Sequence, residues 1–266
     1  MAHAKDAAIA QLFRDAGVDG TLVMVSVKTG QRFVHNDARS KQVFVAVSTY
    51  KVFNTLIAVE EGVIGGADEP IRWDGTRYEV AEWNRDQTLR TAFQVSCVWC
   101  YQALASRVGA AKYAAYLGQA GYGQLCKPFE VSSFWLDGAL TISAEQQVAF
   151  LKLVVQRSLP FSANAYETRR SIMLNDATSS YRLFAKTDWS TRGAPGLGWY
   201  VGYVESTGDT WLFALNLDTR DAGDLPPRRR IALDALTIKG ILPKTRVRRV
   251  ALTEWLRGPR PTSLAH

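Results

Sequence analysis

Strand-like segments lie at both ends of this chain, and helix-like segments lie between them. Residues 21–27 alternate and are rich in β-branched side chains, residues 32–35 return after a turn, and three more strand-like runs follow between residues 181 and 218. The stretch between them carries apolar residues at helical spacing. This order predicts an α+β fold, in which both chain ends build one antiparallel sheet that has flanking helices and a helical lobe.

The chain has no internal repeat and no low-complexity linker, so we predict a single domain over residues 1–242. Its sheet lobe takes approximately residues 1–60 and 165–242, and its helical lobe takes approximately residues 61–164. Residues 243–266 form a basic extension in this prediction. No apolar stretch approaches the roughly 18 residues that span a bilayer, and we expect no membrane partner.

Basic residues outnumber acidic residues by 32 to 25, and the net charge is +7. The excess lies mainly in Arg228–Arg230 and in the segment from Lys244 to Arg260. Neither segment interleaves aromatic side chains as base-stacking surfaces do, so we expect a solvated basic face and no nucleic-acid partner. Residues 1–16 contain no apolar signal region, which leaves either a cytoplasmic protein or a mature form whose signal has been removed.

Histidine is scarce, and its positions limit the chemistry that the chain can perform. Two of the three histidines, His3 and His266, lie at the chain ends, which leaves His35 alone in the body of the chain. One such histidine and three cysteines do not build a metal site of the usual kinds, so we expect no metal. A serine nucleophile in this chain therefore needs a base other than imidazole.

Ser48 and Lys51 form the only Ser-x-x-Lys pattern in the chain. At the start of a helix these side chains lie one turn apart on the same face, and backbone N–H groups there can stabilise an oxyanion. Apolar neighbours such as Val47 and Val52 predict a buried lysine with a lowered pKa, which can act as a base directly or take up carbon dioxide as a carbamate. The alternative interpretation is an N-cap serine followed by a surface lysine.

Ser96 lies in a very apolar stretch that we predict as one helix over residues 91–108. A hydroxyl buried there needs a function or a partner, and the simplest partner is a backbone carbonyl one turn earlier. Cys97 and Cys100 fall inside the same predicted helix. A redox Cys-x-x-Cys motif needs its first cysteine at a helix N-terminus, so we expect buried thiols at both positions.

Lys186 and Thr187 close a predicted strand, where a cation and a hydroxyl at a strand edge can face an anionic substrate. Arg228 follows a pair of prolines and offers a planar, two-pronged donor for a carboxylate. These side chains indicate a site that binds an anion near the serine nucleophile.

Four short motifs follow one another in a specific order and spacing. They are Ser48-x-x-Lys51, Ser96-x-Val98, Tyr122-Gly123-Gln124 and Lys186-Thr187-Asp188. Two flanking segments accompany them, Phe134-Trp135-Leu136 and Gly198–Gly202. In this order the chain resembles the class D serine β-lactamases, the oxacillinases, of the penicillin-recognising superfamily, from about Gly20 to Leu242. The resemblance implies the fold of serine β-lactamases and penicillin-binding proteins. It also implies hydrolysis of β-lactam antibiotics such as penicillins and oxacillin.

The resemblance further implies an acyl-enzyme mechanism. Ser48 would attack the lactam carbonyl, and the backbone N–H groups of Ser48 and Trp189 would form the oxyanion hole. Lys51, converted to N6-carboxylysine by carbon dioxide or bicarbonate, would be the general base. Trp135 would donate a hydrogen bond to that carbamate, and Val98 would keep its pocket dry. No other cofactor is implied.

The same resemblance gives roles to the remaining polar residues. Ser96, assisted by Lys186, would pass a proton to the departing lactam nitrogen. Thr187 and Arg228 would bind the carboxylate of the substrate. The implied partner is a small-molecule β-lactam, the implied location is the periplasm, and we expect a monomer or a homodimer.

Two positions depart from the family pattern. Gln124 stands where the family usually has Asn, at a position that we expect in a loop near the site. Asp188 stands where the family usually has Gly, and its bulk and charge beside the carboxylate-binding site predict a narrowed or weakened substrate range. An intact Lys28-Thr29-Gly30 precedes the nucleophile in a predicted turn, and we interpret it as a coincidence.

Three other functions share the fold and the motifs. A penicillin-sensing domain would be acylated without turnover, and a degenerate homologue would have lost activity through Asp188. A transpeptidase or D-Ala-D-Ala peptidase is the third, and the oxacillinase-like flanks around Trp135 and Trp199 argue against it.

Overall fold

The computed structural model describes residues 6–244. Its strands, in chain order, are β1 (Gly20–Ser26), β2 (Arg32–His35), β3 (Phe44–Val45), β4 (Pro70–Ile71), β5 (Gln87–Thr88), β6 (Gln124–Leu125), β7 (Leu140–Ile142), β8 (Leu174–Ala177), β9 (Tyr181–Ser190), β10 (Gly196–Ser206) and β11 (Asp209–Thr219). Its helices are α1 (Ala7–Ala16), α2 (Asp37–Ser40), α3 (Lys51–Glu60), α4 (Leu89–Gln94), α5 (Val98–Val108), α6 (Ala110–Ala120), α7 (Ala144–Val155), α8 (Ala163–Met173) and α9 (Leu225–Ile238). Short 3₁₀ turns occupy Val47–Tyr50, Ala81–Trp83 and Ala222–Asp224.

The largest sheet joins strands from the two ends of the chain. Its six strands lie in the order β2-β1-β11-β10-β9-β8, and neighbouring strands are antiparallel. β1 lies between β2 and β11, with Gly20 opposite Leu217 and Ser26 opposite Trp211. The predicted α+β fold with one sheet built from both chain ends is confirmed.

Both faces of this sheet are buried, because apolar side chains of successive strand residues point to opposite faces. Leu22 and Met24 of β1 belong to one apolar core, which α1 and α9 cover on the outside. Val23, between them, belongs to the second and larger core, which contains most of the other helices. The sheet is therefore the central layer of the domain.

Helix α3 runs through the larger core and is buried along residues 51–59. Gly62 follows its end with a φ of +64°, a left-handed conformation that glycine adopts without steric cost. A helix that is packed on all sides holds its first residues in fixed positions. Its N-terminal end, which carries Lys51, is therefore a rigid platform.

The predicted single helix over residues 91–108 is wrong. The structure has two helices there, because α4 ends at Gln94 and α5 begins at Val98. The last described helix, α9, begins at Leu225. Pro226 and Pro227 fit its first turn, where backbone N–H groups have no partner within the helix.

None of the helices in the described part of the chain is both long and apolar enough to cross a membrane. The predicted basic extension lies outside the described residues from position 245 onward. The division of residues 1–242 into a sheet lobe and a helical lobe stays a prediction.

Candidate active site

Ser48 and Lys51 meet where a 3₁₀ turn runs into α3. Ser48 lies in the turn Val47–Tyr50, and Lys51 is the first residue of the helix. The Lys51 amine donates a hydrogen bond of 2.8 Å to the Ser48 hydroxyl oxygen. Lys51 is fully buried, and only 5% of Ser48 is exposed. The structure therefore excludes a surface lysine and brings the two groups into contact.

Burial also changes the acidity of this lysine. Loss of solvent, and to a smaller extent the nearby cation of Lys186, lower the pKa of Lys51 to about 7, although the carboxylate of Asp188 acts in the opposite direction. A share of the amines is therefore neutral at physiological pH. A neutral amine that touches a serine hydroxyl can accept its proton.

Ser96 occupies the break between α4 and α5. Its φ of +55° is left-handed, which is uncommon for a residue with a side chain, and Cys97 then caps the start of α5. Cys97 and Cys100 are joined by a disulfide, so the expectation of free buried thiols inside a helix is wrong. The turn directs the Ser96 oxygen to the Lys186 amine, at 2.5 Å.

Lys186 and Thr187 lie in the second half of β9. Strand β10 pairs with the whole of β9, whereas the register of β8 with β9 ends at Phe184, and the turn that carries Ser48 lies against β9. Burial lowers the pKa of Lys186 to about 8, Asp188 opposes this shift, and Arg228 adds to it. The free edge of β9 thus presents a lysine that contacts the hydroxyl of Ser96.

Asp188 departs most from the expected arrangement. Its Oδ1 accepts a hydrogen bond of 2.8 Å from the backbone N–H of Ser48, the group that the family resemblance assigns to the oxyanion hole. Its Oδ2 is buried and has no hydrogen-bond partner within residues 6–244. Burial raises the pKa of this carboxyl, while the Ser48 N–H and the cations of Lys186 and Lys51 oppose that shift. Asp188 therefore lies at the nucleophile itself.

Arg228 reaches the same strand edge from α9. Its Nε donates to the Leu225 carbonyl at 2.9 Å, and its guanidinium also donates to the backbone carbonyl of Asp188. Gly198 on β10 leaves room for this side chain, because a Cβ at that position would lie 2.6 Å from Arg228 Cδ. Burial lowers the pKa of Arg228 to about 10, so it remains a cation at neutral pH.

These residues surround a cavity of about 260 Å³. Of the residues singled out from the sequence, its walls contain Ser48, Ser96, Val98, Thr187, Asp188, Trp189 and Arg228. Lys51 and Lys186 reach it through their hydrogen bonds to Ser48 and Ser96. Trp83 and Leu136 also line it. Leu136 belongs to the flanking motif Phe134-Trp135-Leu136. No sequence signal marks Trp83, whose indole N–H donates to the Val95 carbonyl at 3.0 Å.

Trp135 is fully buried outside the cavity wall. Its carbonyl accepts a hydrogen bond of 2.8 Å from the N–H of Val47, which fixes it beside the nucleophile turn. Its indole N–H has no hydrogen-bond partner in the described part of the chain. Gln124 lies in β6 and is exposed, so the loop expected there is wrong, and Lys28-Thr29-Gly30 occupies the turn between β1 and β2.

Residues 6–244 contain no group of three or more His, Cys, Asp or Glu residues that could hold a metal ion.

Comparison with known proteins places the whole arrangement in context. The family model of the penicillin binding protein transpeptidase domain matches residues 20–237. Among curated relatives, β-lactamase OXA-48 of Klebsiella pneumoniae is 36% identical over 231 residues, which cover 87% of each chain. β-lactamase OXA-20 of Pseudomonas aeruginosa is 35% identical and matches 87% of this chain and 86% of its own.

Solved structures agree with these relatives. The class D β-lactamase YbXI from Nostoc has a TM-score of 0.86 at 35% identity, and the match covers 88% of this chain and 99% of that chain. FUS-1 (OXA-85), a class D β-lactamase from Fusobacterium nucleatum, has a TM-score of 0.86 at 32% identity, and the match covers 90% of this chain and 100% of that chain. Since sequence, fold and motif order agree over nearly the whole described chain, this chain belongs to the class D β-lactamases.

Proposed function

We propose that this protein hydrolyses β-lactam antibiotics through a covalent acyl-enzyme on Ser48. The observation that carries the proposal is the 2.8 Å hydrogen bond from the Lys51 amine to the Ser48 hydroxyl, in a recess where burial lowers the pKa of Lys51 to about 7. Such an amine can take up the serine proton at neutral pH. The names of the relatives, β-lactamases in each case, indicate the substrate class.

Acylation uses three proton transfers. Lys51 takes the proton of Ser48 while the serine oxygen bonds to the lactam carbonyl carbon. The lactam C–N bond then breaks, and its nitrogen receives the hydroxyl proton of Ser96, which regains a proton from Lys186 at 2.5 Å. With its pKa at about 8, Lys186 is mostly protonated at neutral pH, as a proton donor must be.

Hydrolysis of the acyl-enzyme needs a base that activates water, and Lys51 is the residue in position. Carbon dioxide bound to Lys51 as a carbamate would supply an anionic oxygen base there. The residues present fit this group, because Lys51 is buried with a lowered pKa and the buried indole N–H of Trp135 lacks a partner within residues 6–244. Trp135 would donate a hydrogen bond to that group, and Val98 would help to exclude bulk water.

Thr187, Trp189 and Arg228 would bind the substrate. All three line the cavity, and Arg228 is the cation there that can form a two-pronged contact with a carboxylate. We also propose a periplasmic location and a role in antibiotic resistance, which the family relationship supports. Expression behind an export signal in a susceptible bacterium should raise the inhibitory concentration of penicillin, and Ser48→Ala should remove that gain.

The central test separates covalent capture from turnover. The protein is mixed with a penicillin and with a chromogenic cephalosporin, with and without added bicarbonate, and the adduct on Ser48 is followed by mass spectrometry. We expect repeated turnover that increases with bicarbonate and disappears in Ser48→Ala. A single stoichiometric burst with a persistent adduct would instead indicate a penicillin sensor, and absence of any adduct would refute the proposal.

The role of the lysine is tested in the same assay. We expect Lys51→Ala to abolish deacylation, because it removes the group that we propose as the base for water. Trp135→Ala should raise the bicarbonate concentration needed for half-maximal turnover, because a donor to the carbamate is lost. Turnover like that of the wild type in Lys51→Ala would contradict the assignment of the base.

A further inference from the structure

We propose that the carboxylate of Asp188 is a built-in occupant of the oxyanion hole, which a substrate carbonyl must displace before Ser48 can be acylated. The inference rests on the proposed function, since it concerns the same serine. It starts from one contact, the 2.8 Å hydrogen bond from the Ser48 N–H to Asp188 Oδ1. The carboxylate oxygen takes the place where the lactam oxygen would carry its negative charge.

The position of Ser48 makes its N–H a strong anion donor. Ser48 lies in the first turn of the continuous helical segment formed by Val47–Tyr50 and α3, and the first N–H groups of a helix lack partners within it. A donor of this kind stabilises an oxyanion in acyl transfer. In this structure an aspartate oxygen already uses it, and a charged acceptor binds more tightly than a neutral carbonyl.

Three cations hold the carboxylate in this position. Lys51, Lys186 and Arg228 each interact electrostatically with Asp188. The Asp188 backbone is fixed as well, because Trp199 of β10 lies opposite it and its carbonyl accepts from Arg228. A glycine at this position has no side chain that could reach the Ser48 N–H, so the occupant comes from this substitution alone.

Two effects oppose acylation while Asp188 remains in place. The lactam oxygen has to compete for the Ser48 N–H, and the charge that develops on that oxygen is repelled by the carboxylate beside it. Asp188 also raises the pKa of Lys51, which keeps a larger share of that amine protonated and unable to accept the serine proton. Both effects lower the rate of the same step.

The buried Oδ2 of Asp188 indicates that this arrangement does not serve stability. It lacks a hydrogen-bond partner within residues 6–244, and a buried carboxylate oxygen without one is unfavourable. Such a group at a binding cavity is typical of a functional constraint rather than of a packing solution. The occupant therefore acts on reactivity and substrate range.

The experiment compares acylation rates in Asp188→Gly, Asp188→Asn and the wild type by stopped flow, with the adduct on Ser48 counted by mass spectrometry. Glycine removes the occupant, and we expect acylation to become about 100-fold faster, the effect of one oxyanion-hole donor. Asparagine keeps the size and removes the charge, so we expect a smaller gain of about 10-fold. Asp209→Asn is the matched control, because Asp209, at the start of β11, accepts a hydrogen bond from Ser26 and lies outside the cavity, so the acylation rate should not change.

A second measurement excludes a general effect on folding. The acid limb of the acylation rate should move to lower pH in Asp188→Asn, because loss of the carboxylate lowers the pKa of Lys51. Phenylboronic acid, which forms a tetrahedral adduct on serine, should bind at least 10-fold more tightly to Asp188→Gly.

Each result either supports or overturns the proposed role of Asp188. Faster acylation in both Asp188 variants, or an adduct that forms in Asp188→Gly and not in the wild type, supports the occupant. A wild type that is acylated at the same rate as Asp188→Gly, or faster, overturns the occupant and leaves the proposed function intact. Absence of an adduct in the wild type and in both variants overturns the proposed function itself.

Discussion

Replacement of Lys51 by methionine tests whether the lysine is as deeply desolvated as the structure indicates. The pKa of Lys51 falls from its ordinary 10.5 to about 7 in the folded protein. One pKa unit corresponds to about 1.4 kcal/mol. Burial of the charged amine therefore lowers the free energy of unfolding by about 5 kcal/mol at pH values below 7, where the amine is protonated. The loss shrinks between pH 7 and pH 10.5, because the unfolded chain holds the extra proton in that window.

The expected size of the effect follows from these two values. The penalty amounts to about 4 kcal/mol at pH 7.5 and to about 1 kcal/mol at pH 9.5. Methionine has a similar shape, and its poorer fit and the lost Ser48 hydrogen bond together remove about 2 kcal/mol at either pH. The free energy of unfolding of Lys51→Met should therefore exceed that of the wild type by about 2 kcal/mol at pH 7.5, and this advantage should be lost at pH 9.5.

Urea unfolding, followed by tryptophan fluorescence in buffer depleted of carbon dioxide, measures both free energies. Lys152→Met is the matched control, since Lys152 is exposed on α7 and its replacement should change stability by less than about 0.5 kcal/mol at both pH values. A Lys51→Met variant whose difference from the wild type is the same at pH 7.5 and pH 9.5 would refute the reasoning, because the lysine would then keep its ordinary pKa.

Two further predictions concern the backbone. Gly202→Ala should lower the free energy of unfolding by at least about 3 kcal/mol, because its Cβ would lie 2.1 Å from the Phe184 carbonyl oxygen. Gly66→Ala, which has open space at its Cβ, should be nearly neutral in the same thermal unfolding assay. Ser96→Gly should raise stability by about 1 kcal/mol by relieving the left-handed φ, yet slow acylation at least about 100-fold through loss of the hydroxyl. Ser96→Ala should show the slow acylation without the gain in stability.

The order of motifs in the sequence predicts much of this molecule. The strands of the main sheet follow from local patterns, because strand alternation depends on neighbouring residues only, and their position at both chain ends indicates that they share one sheet. The contact between Ser48 and Lys51 also follows from local geometry, since residues three apart at a helix start share a face. Their burial depends on the surrounding core, and apolar neighbours were enough to indicate it.

The errors have a common physical origin in contacts that the local pattern does not contain. The stretch from Thr91 to Val108 has no Gly or Pro at its break. The left-handed Ser96 lies beside the Cys97–Cys100 bridge and accepts a hydrogen bond from Lys186 of a distant strand. Asp188 is recognisable in sequence as a departure from the family pattern. Its contact with the N–H of Ser48, 140 residues away, depends on how β9 lies against the nucleophile turn.

The pairing of β1 with β11 has a consequence for biosynthesis. Gly20 lies opposite Leu217, so β1 cannot form its hydrogen bonds with β11 until nearly the whole chain has been synthesised. On the ribosome, the segment with Ser48 and Lys51 emerges early, while β9 and α9, which complete the cavity, emerge late. A nascent chain therefore carries the nucleophile long before it can react, and prematurely terminated chains that lack β11 should be inert towards antibiotics and exposed to proteases and chaperones.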